Sequence, residues 1–157
     1  GISRSGGITE ILSENKDNLS SYIHSTEVPN LDLLVCGSIP PNPSELLGSK
    51  KMEWLINELS KIYDRIIIDT PPVLAATDAV VLASKVEVTL LVAKANHTHK
   101  NAALRAKELL NSVNAKITGM VLNMVQPDKR GGNYYYYYYY HYKYGRKKKE
   151  HQGESEV

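Results

Sequence analysis

Tyr63-Asp64-Arg65-Ile66-Ile67-Ile68-Asp69-Thr70-Pro71-Pro72 is the stretch from which the fold of this chain is read. Three consecutive isoleucines leave no polar face, so the segment predicts a strand buried on both sides, as in a parallel sheet covered by helices. Asp69 then stands at the strand's carboxyl end, and two prolines without N–H donors stop the ladder directly after it. In open α/β sheets that end is where ligands bind. A carboxylate leaving a dry strand there is placed to hold Mg²⁺ beside a nucleotide phosphate. The same residue can also end a strand with no chemistry attached, and Asp69 alone does not separate the two.

Working outward, Ser49 can cap a helix whose Met52, Leu55, Leu59 and Ile62 form an apolar stripe leading into this strand. Before it, Pro40-Pro41-Asn42-Pro43-Ser44-Glu45-Leu46-Leu47 has the chemistry of a helix start: Asn42 as cap, Pro43 in the first turn, Glu45 closing a capping box. Leu31 to Val35 predicts a short strand ended by Gly37, and Ile8 to Leu12 a short helix. After Pro72, Thr77-Asp78 offers a cap for a helix over Ala79 to Ala83. A strand over Val88 to Ala93, an amphipathic helix over Lys100 to Val113 and a last strand over Ile117 to Val125 follow. This βαβ alternation predicts an α/β fold, with four strands in one mostly parallel sheet and helices on both faces. Residues 1–126 form the domain. From Pro127 the periodicity ends, and residues 127–157 read as a flexible, disordered tail rich in tyrosine and lysine.

Composition narrows the function. The chain of 157 residues has a net charge of +2, too small for nucleic-acid binding by bulk electrostatics. Cys36 is the one cysteine, which rules out an internal disulfide and fits a reducing, cytoplasmic setting. No apolar run approaches a membrane span, so the chain reads as soluble. It has no phenylalanine but 11 tyrosines, and all except Tyr22 and Tyr63 lie in the tail: Tyr134, Tyr135, Tyr136, Tyr137, Tyr138, Tyr139, Tyr140, Tyr142 and Tyr144.

Taken in order, the 63–72 stretch, Pro40 to Leu47, Thr77-Asp78-Ala79, Val121-Leu122-Asn123 and the terminal tyrosine cluster resemble the bacterial tyrosine kinases of capsule and exopolysaccharide synthesis. Each motif alone is weak; the ordered set is specific. The resemblance implies a P-loop ATPase-like domain and an ATP-dependent protein-tyrosine kinase that uses Mg²⁺. It makes Asp69 the Walker B aspartate, catalytic and Mg²⁺-holding. Thr70 and Pro71 become the loop beside the phosphates, and Asn123 a strand-end asparagine near the adenine. The nine tail tyrosines become phosphoacceptors, modified in trans. It further implies a transmembrane polysaccharide co-polymerase as activator, fused or separate, assembly into a homo-oligomer governed by tail phosphorylation, a cognate tyrosine phosphatase, and a place at the inner face of the cell membrane. Asn123 can equally be a strand-terminal cap, and Asp78 reads first as a helix cap and second as a phosphate sensor.

One departure is large. The pattern G-x-x-x-x-G-K-[ST] occurs nowhere, and Gly48-Ser49-Lys50 lacks both the upstream glycine and the preceding strand. The family's second acidic strand, which supplies the catalytic base, would lie just before Gly1. The expectation is therefore the C-terminal part of a kinase domain, inactive alone without its phosphate cradle. Two alternatives fit the same residues: a partitioning-type ATPase that phosphorylates nothing, and a non-enzymatic aromatic tail on an α/β mount. Arg146-Lys147-Lys148-Lys149 is either a solvated charge run or a contact for anionic lipid.

Overall fold

The computed structural model describes residues 6–13 and 18–125. Helix α1 (Ile8–Ser13) opens the chain, and a single 3-10 turn (Leu19–Ser21) leads into β1 (Ile23–Ser25) and β2 (Asp32–Leu34). Next come α2 (Pro43–Gly48), α3 (Lys50–Ser60) and α4 (Asp78–Ala83), then the unit β3 (Thr89–Lys94), α5 (Lys100–Ser112) and β4 (Ile117–Asn123). The tail predicted over 127–157 lies outside the described residues.

The α/β class holds, with helices flanking a parallel strand pair, but the pairing differs from a single sheet. Strands β1 and β2 pair antiparallel with Ile23 opposite Leu34, whereas β3 and β4 pair parallel with Val92 beside Val121 and Lys94 beside Asn123. Strand β1 was not foreseen. Its hairpin turns on Val28-Pro29-Asn30-Leu31, where Asn30 takes a positive φ of 62° and the Leu31 amide bonds the Val28 carbonyl at 3.2 Å. Proline followed by a left-handed asparagine is the chemistry of a type II turn. Thr26 seals it by donating its hydroxyl to the Leu31 carbonyl at 2.7 Å.

The larger correction falls on the stretch read as the central strand. Residues 65–72 belong to no strand, and Ile67 is 91% exposed while Ile66 and Ile68 pack half-buried against the core. A strand needs a neighbour for its N–H and C=O groups, and none of the described strands pairs with this one. What survives is alternation, with one face on the helices and one in solvent.

The core is helical. Ile11 and Leu12 of α1, Met52, Leu55 and Leu59 of α3, and Leu82 of α4 form one buried cluster. Three of the four stripe positions predicted for α3 lie within it; the fourth, Ile62, falls beyond the helix and is exposed. Ser49 caps α3 as its sequence suggests, accepting the Met52 amide at 3.3 Å, and its hydroxyl also donates to the Leu46 carbonyl at 2.7 Å. Ser49→Ala should therefore cost about 1 kcal/mol, read as a lower midpoint in urea with an unchanged slope.

Asn42 does not cap α2 with its side chain; its amide donates instead to the Glu45 carboxylate, so the predicted box closes side chain to side chain. On the parallel pair, Leu90, Val92 and Val121 share a solvent-exposed face, and Ala93 is buried on the other.

Candidate functional site

Among the described residues no strand pairs with the 63–72 stretch, and it is held by side chains and by its two ends. At its head, the Tyr63 hydroxyl donates to Asp32 Oδ2 of β2 at 2.7 Å. The bond to that carboxylate, aided by desolvation, raises the phenol above its ordinary range. Ile66 and Ile68 are then seated on the helical core. Beyond Asp69-Thr70-Pro71, the Pro72 carbonyl accepts the amides of Ala75 at 2.9 Å and Ala76 at 3.2 Å, a tight turn that delivers the chain to α4.

Asp69 is exposed, Thr70 half-buried and Pro71 exposed. Among the described residues, the Asp69 carboxylate has no hydrogen-bond or ion-pair partner, so both oxygens remain open to a cation. Mg²⁺ binds through one or two carboxylates plus substrate phosphates and waters, and a lone open carboxylate fits that donor set. No group of three or more His, Cys, Asp or Glu among the described residues forms an all-protein metal cage.

Asn123 ends β4 at the carboxyl edge of the parallel pair. Its carbonyl accepts the Ala95 amide at 2.9 Å, and its side-chain oxygen accepts the Met124 amide at 2.8 Å. That oxygen is thus occupied by its own chain as a strand-end cap, while the carboxamide N–H groups stay available. No described hydrogen bond joins Asn123 to the Asp69 stretch. The nine tail tyrosines lie outside the described residues.

Asp78 does not serve as the cap of α4. Thr77 occupies that position without a capping bond, and Asp78 is the helix's first residue. Its Oδ1 accepts the Ser44 hydroxyl at 2.9 Å, and Ser44 Oγ also lies 2.7 Å from Thr77 Oγ1. Ser44 was read only as part of a helix start. Its signal, a hydroxyl in the first turn after Pro43, does not tell a local cap from a tertiary bond 34 residues away.

A second clasp sits beside α1. Glu10 accepts the Gly7 amide at 2.7 Å, the Ser38 amide at 3.1 Å and the Ser38 hydroxyl at 2.5 Å. These bonds, led by the Ser38 hydroxyl, hold its carboxyl below the ordinary glutamate range. Just past α4, Lys85 pairs with Glu53 of α3 at 2.5 Å.

No family model matches the chain. CapB of Staphylococcus aureus is 44% identical over 121 residues, 77% of this chain and 53% of CapB. Tyrosine-protein kinase YwqD of Bacillus subtilis is 38% identical over 117 residues, 74% of this chain and 49% of YwqD. Among solved structures, the VpsO kinase domain matches with a TM-score of 0.74 and 37% identity, over 80% of this chain and 62% of that one. The kinase domain of Escherichia coli tyrosine kinase ETK matches with a TM-score of 0.76 and 33% identity, over 83% and 51%. The fold is thus that of a P-loop-type kinase domain. The chain spans about half the length of the curated relatives it matches. It is similar to the bacterial tyrosine-protein kinases that its motifs resemble, and what it matches is part of the kinase domain.

Proposed function

We propose that the chain contributes to an ATP-dependent protein-tyrosine kinase that phosphorylates its own tail in trans and regulates capsule or exopolysaccharide synthesis and export. The observation that carries this reading is the carboxylate of Asp69, exposed and without a partner among the described residues, within a scaffold 37% identical to the VpsO kinase domain. In this reading Asp69 holds Mg²⁺, which when bound neutralises charge on the phosphates. Thr70 and Pro71 line the phosphate side, and Asn123 offers its free amide N–H groups to the adenine. The bond from the γ-phosphorus to the β–γ bridging oxygen breaks, ADP leaves, and the tyrosine oxygen bonds to phosphorus after losing its proton to a base.

The acceptors are Tyr134 to Tyr140, Tyr142 and Tyr144. Each phosphotyrosine adds roughly 1.5 to 2 negative charges, so several would outweigh the four cations of Arg146 to Lys149 and turn attraction between subunits into repulsion. The oligomer then dissociates, and a tyrosine phosphatase resets it. A transmembrane co-polymerase activates the kinase at the inner face of the membrane; the chimera CapA2B2, which matches with 34% identity, is consistent with such a pairing. Among the described residues no helix is long and apolar enough to cross a membrane.

The test uses the natural protein that carries this chain, with labelled ATP and Mg²⁺. Changing all nine tail tyrosines to phenylalanine should abolish the phosphotyrosine signal, leave ATP hydrolysis largely intact and freeze the sedimentation profile against ATP. Absence of phosphotyrosine in the unaltered protein under the same conditions would sink the kinase reading. Unchanged assembly after stoichiometric phosphorylation would sink only the tail switch.

A further inference from the structure

We propose, resting on the role given to Asn123 above, that Thr98 is a positioning residue for Asn123: it pins the end of β3 so that the carboxamide closing β4 meets the nucleotide base in a single orientation. The bonds that do this all lie within residues 94–124, one contiguous β–α–β segment in contact with itself.

Thr98 Oγ1 accepts the Lys94 amide at 2.9 Å, and the Thr98 amide donates back to the Lys94 carbonyl at 2.9 Å. Between them Asn96 takes a φ of 58°, in the left-handed region that asparagine tolerates, so the chain turns sharply at the end of β3. Lys94 stands beside Asn123 in the parallel pair, and the next residue, Ala95, donates its amide to the Asn123 carbonyl at 2.9 Å. Asn123 Oδ1 in turn accepts the Met124 amide at 2.8 Å. A backbone N–H only donates, so this bond fixes the flip of the carboxamide, with the oxygen toward Met124 and Nδ2 the other way. The side chain therefore offers a base N–H donors, which suit the acceptor ring nitrogens of a purine.

Met124 marks the place as one held under constraint. Its φ is 56°, which a residue with a β-carbon rarely adopts, and such outliers persist where the surroundings over-determine them. Here the Ala95 and Met124 amides clamp Asn123 by its main chain and its side chain, and the Thr98 hydroxyl ties the Ala95 end to the turn. Valine at position 98 keeps the branched shape and removes the acceptor. The Lys94 amide then turns to water, and the turn loosens at Ala95. A base contact is made alike in the ground state and the transition state, so blurring it raises KM and spares kcat.

The experiment compares the natural protein that carries this chain with its Thr98→Val, Thr98→Ser and Asn123→Ala variants. In amide hydrogen exchange, Thr98→Val should speed exchange at Lys94 and Ala95 about threefold or more without changing Leu110 of α5, and Thr98→Ser should return both to the wild-type rate. In phosphorylation with Mg²⁺, Thr98→Val should raise KM for ATP about fivefold with kcat nearly unchanged, and Thr98→Ser should restore KM. Inhibition by inorganic tripolyphosphate, which carries no base, should be the same in wild type and Thr98→Val. Unchanged exchange at Lys94 and Ala95 in Thr98→Val would overturn the proposal and leave the role of Asn123 standing. Equal weakening of ATP and tripolyphosphate would also overturn it, because the loss would then not lie at the base. Asn123→Ala with a wild-type KM for ATP would remove Asn123 from the base, and the role of Thr98 with it, whatever the exchange rates.

Discussion

Asp69→Asn should cut tyrosine phosphorylation by about two to three orders of magnitude, the scale on which removing one preorganised charge-stabilising group acts. Asparagine keeps the size and one acceptor oxygen but gives up the charge that holds a cation. Because Asp69 is exposed and has no partner among the described residues, its loss should change stability by no more than about 0.5 kcal/mol. The measurement pairs initial rates of label transfer to the tail with a urea titration of the same preparations. An activity loss accompanied by an equal loss of fold would remove Asp69 from the chemistry, and so would unchanged activity.

The largest effect on stability should come from Gly7→Ala. A β-carbon there would lie 2.2 Å from the Val35 carbonyl oxygen, 2.5 Å from the Gly37 nitrogen and 2.9 Å from the Cys36 carbonyl carbon. All three are backbone atoms, and none can retreat without breaking the bonds from the Ile8 amide to Val35 and from the Thr9 amide to Cys36, both 2.9 Å. The cost should be about 3 kcal/mol or more, seen as a large fall in the urea midpoint.

The adjoining Glu10 clasp adds a pH signature. Its carboxyl lies below the ordinary value when folded, so the unfolded chain takes up the proton first as pH falls. The stabilisation is therefore complete above the ordinary glutamate range and is lost as pH falls through the lower, folded value. Glu10→Gln should flatten that acid limb of the stability profile. A mutant whose acid limb matches the wild type would show that the clasp contributes nothing.

What could be read from the residues divides along a physical line. Local signals held: the Ser49 cap, the Met52, Leu55 and Leu59 stripe, and the alternating units that became β3, α5 and β4. Each depends on neighbours within a turn or two of helix, or on a short crossover. Ile66 to Ile68 failed as a buried strand because strand formation is a property of pairs, and hydrophobic content cannot say whether a partner edge is present. Asp69, Thr70 and Pro71 are singled out by their order in a motif, and the roles given to them belong to the proposed function. Ser44 was not found, since its partners, Thr77 and Asp78, meet it only after two helices have packed.

The separation between the helical cluster and the β3–α5–β4 unit bears on how the chain folds. Ile11, Leu55 and Leu82 bring distant segments together, whereas Thr89 to Asn123 closes its parallel pair over a short crossover and buries Ala93, Ala106 and Leu110 outside that cluster. The second unit has less loop-closure entropy to overcome and can form before the first is assembled. Amide exchange is expected to resolve two foldons, in which case a single two-state free energy would average over two different cooperative events.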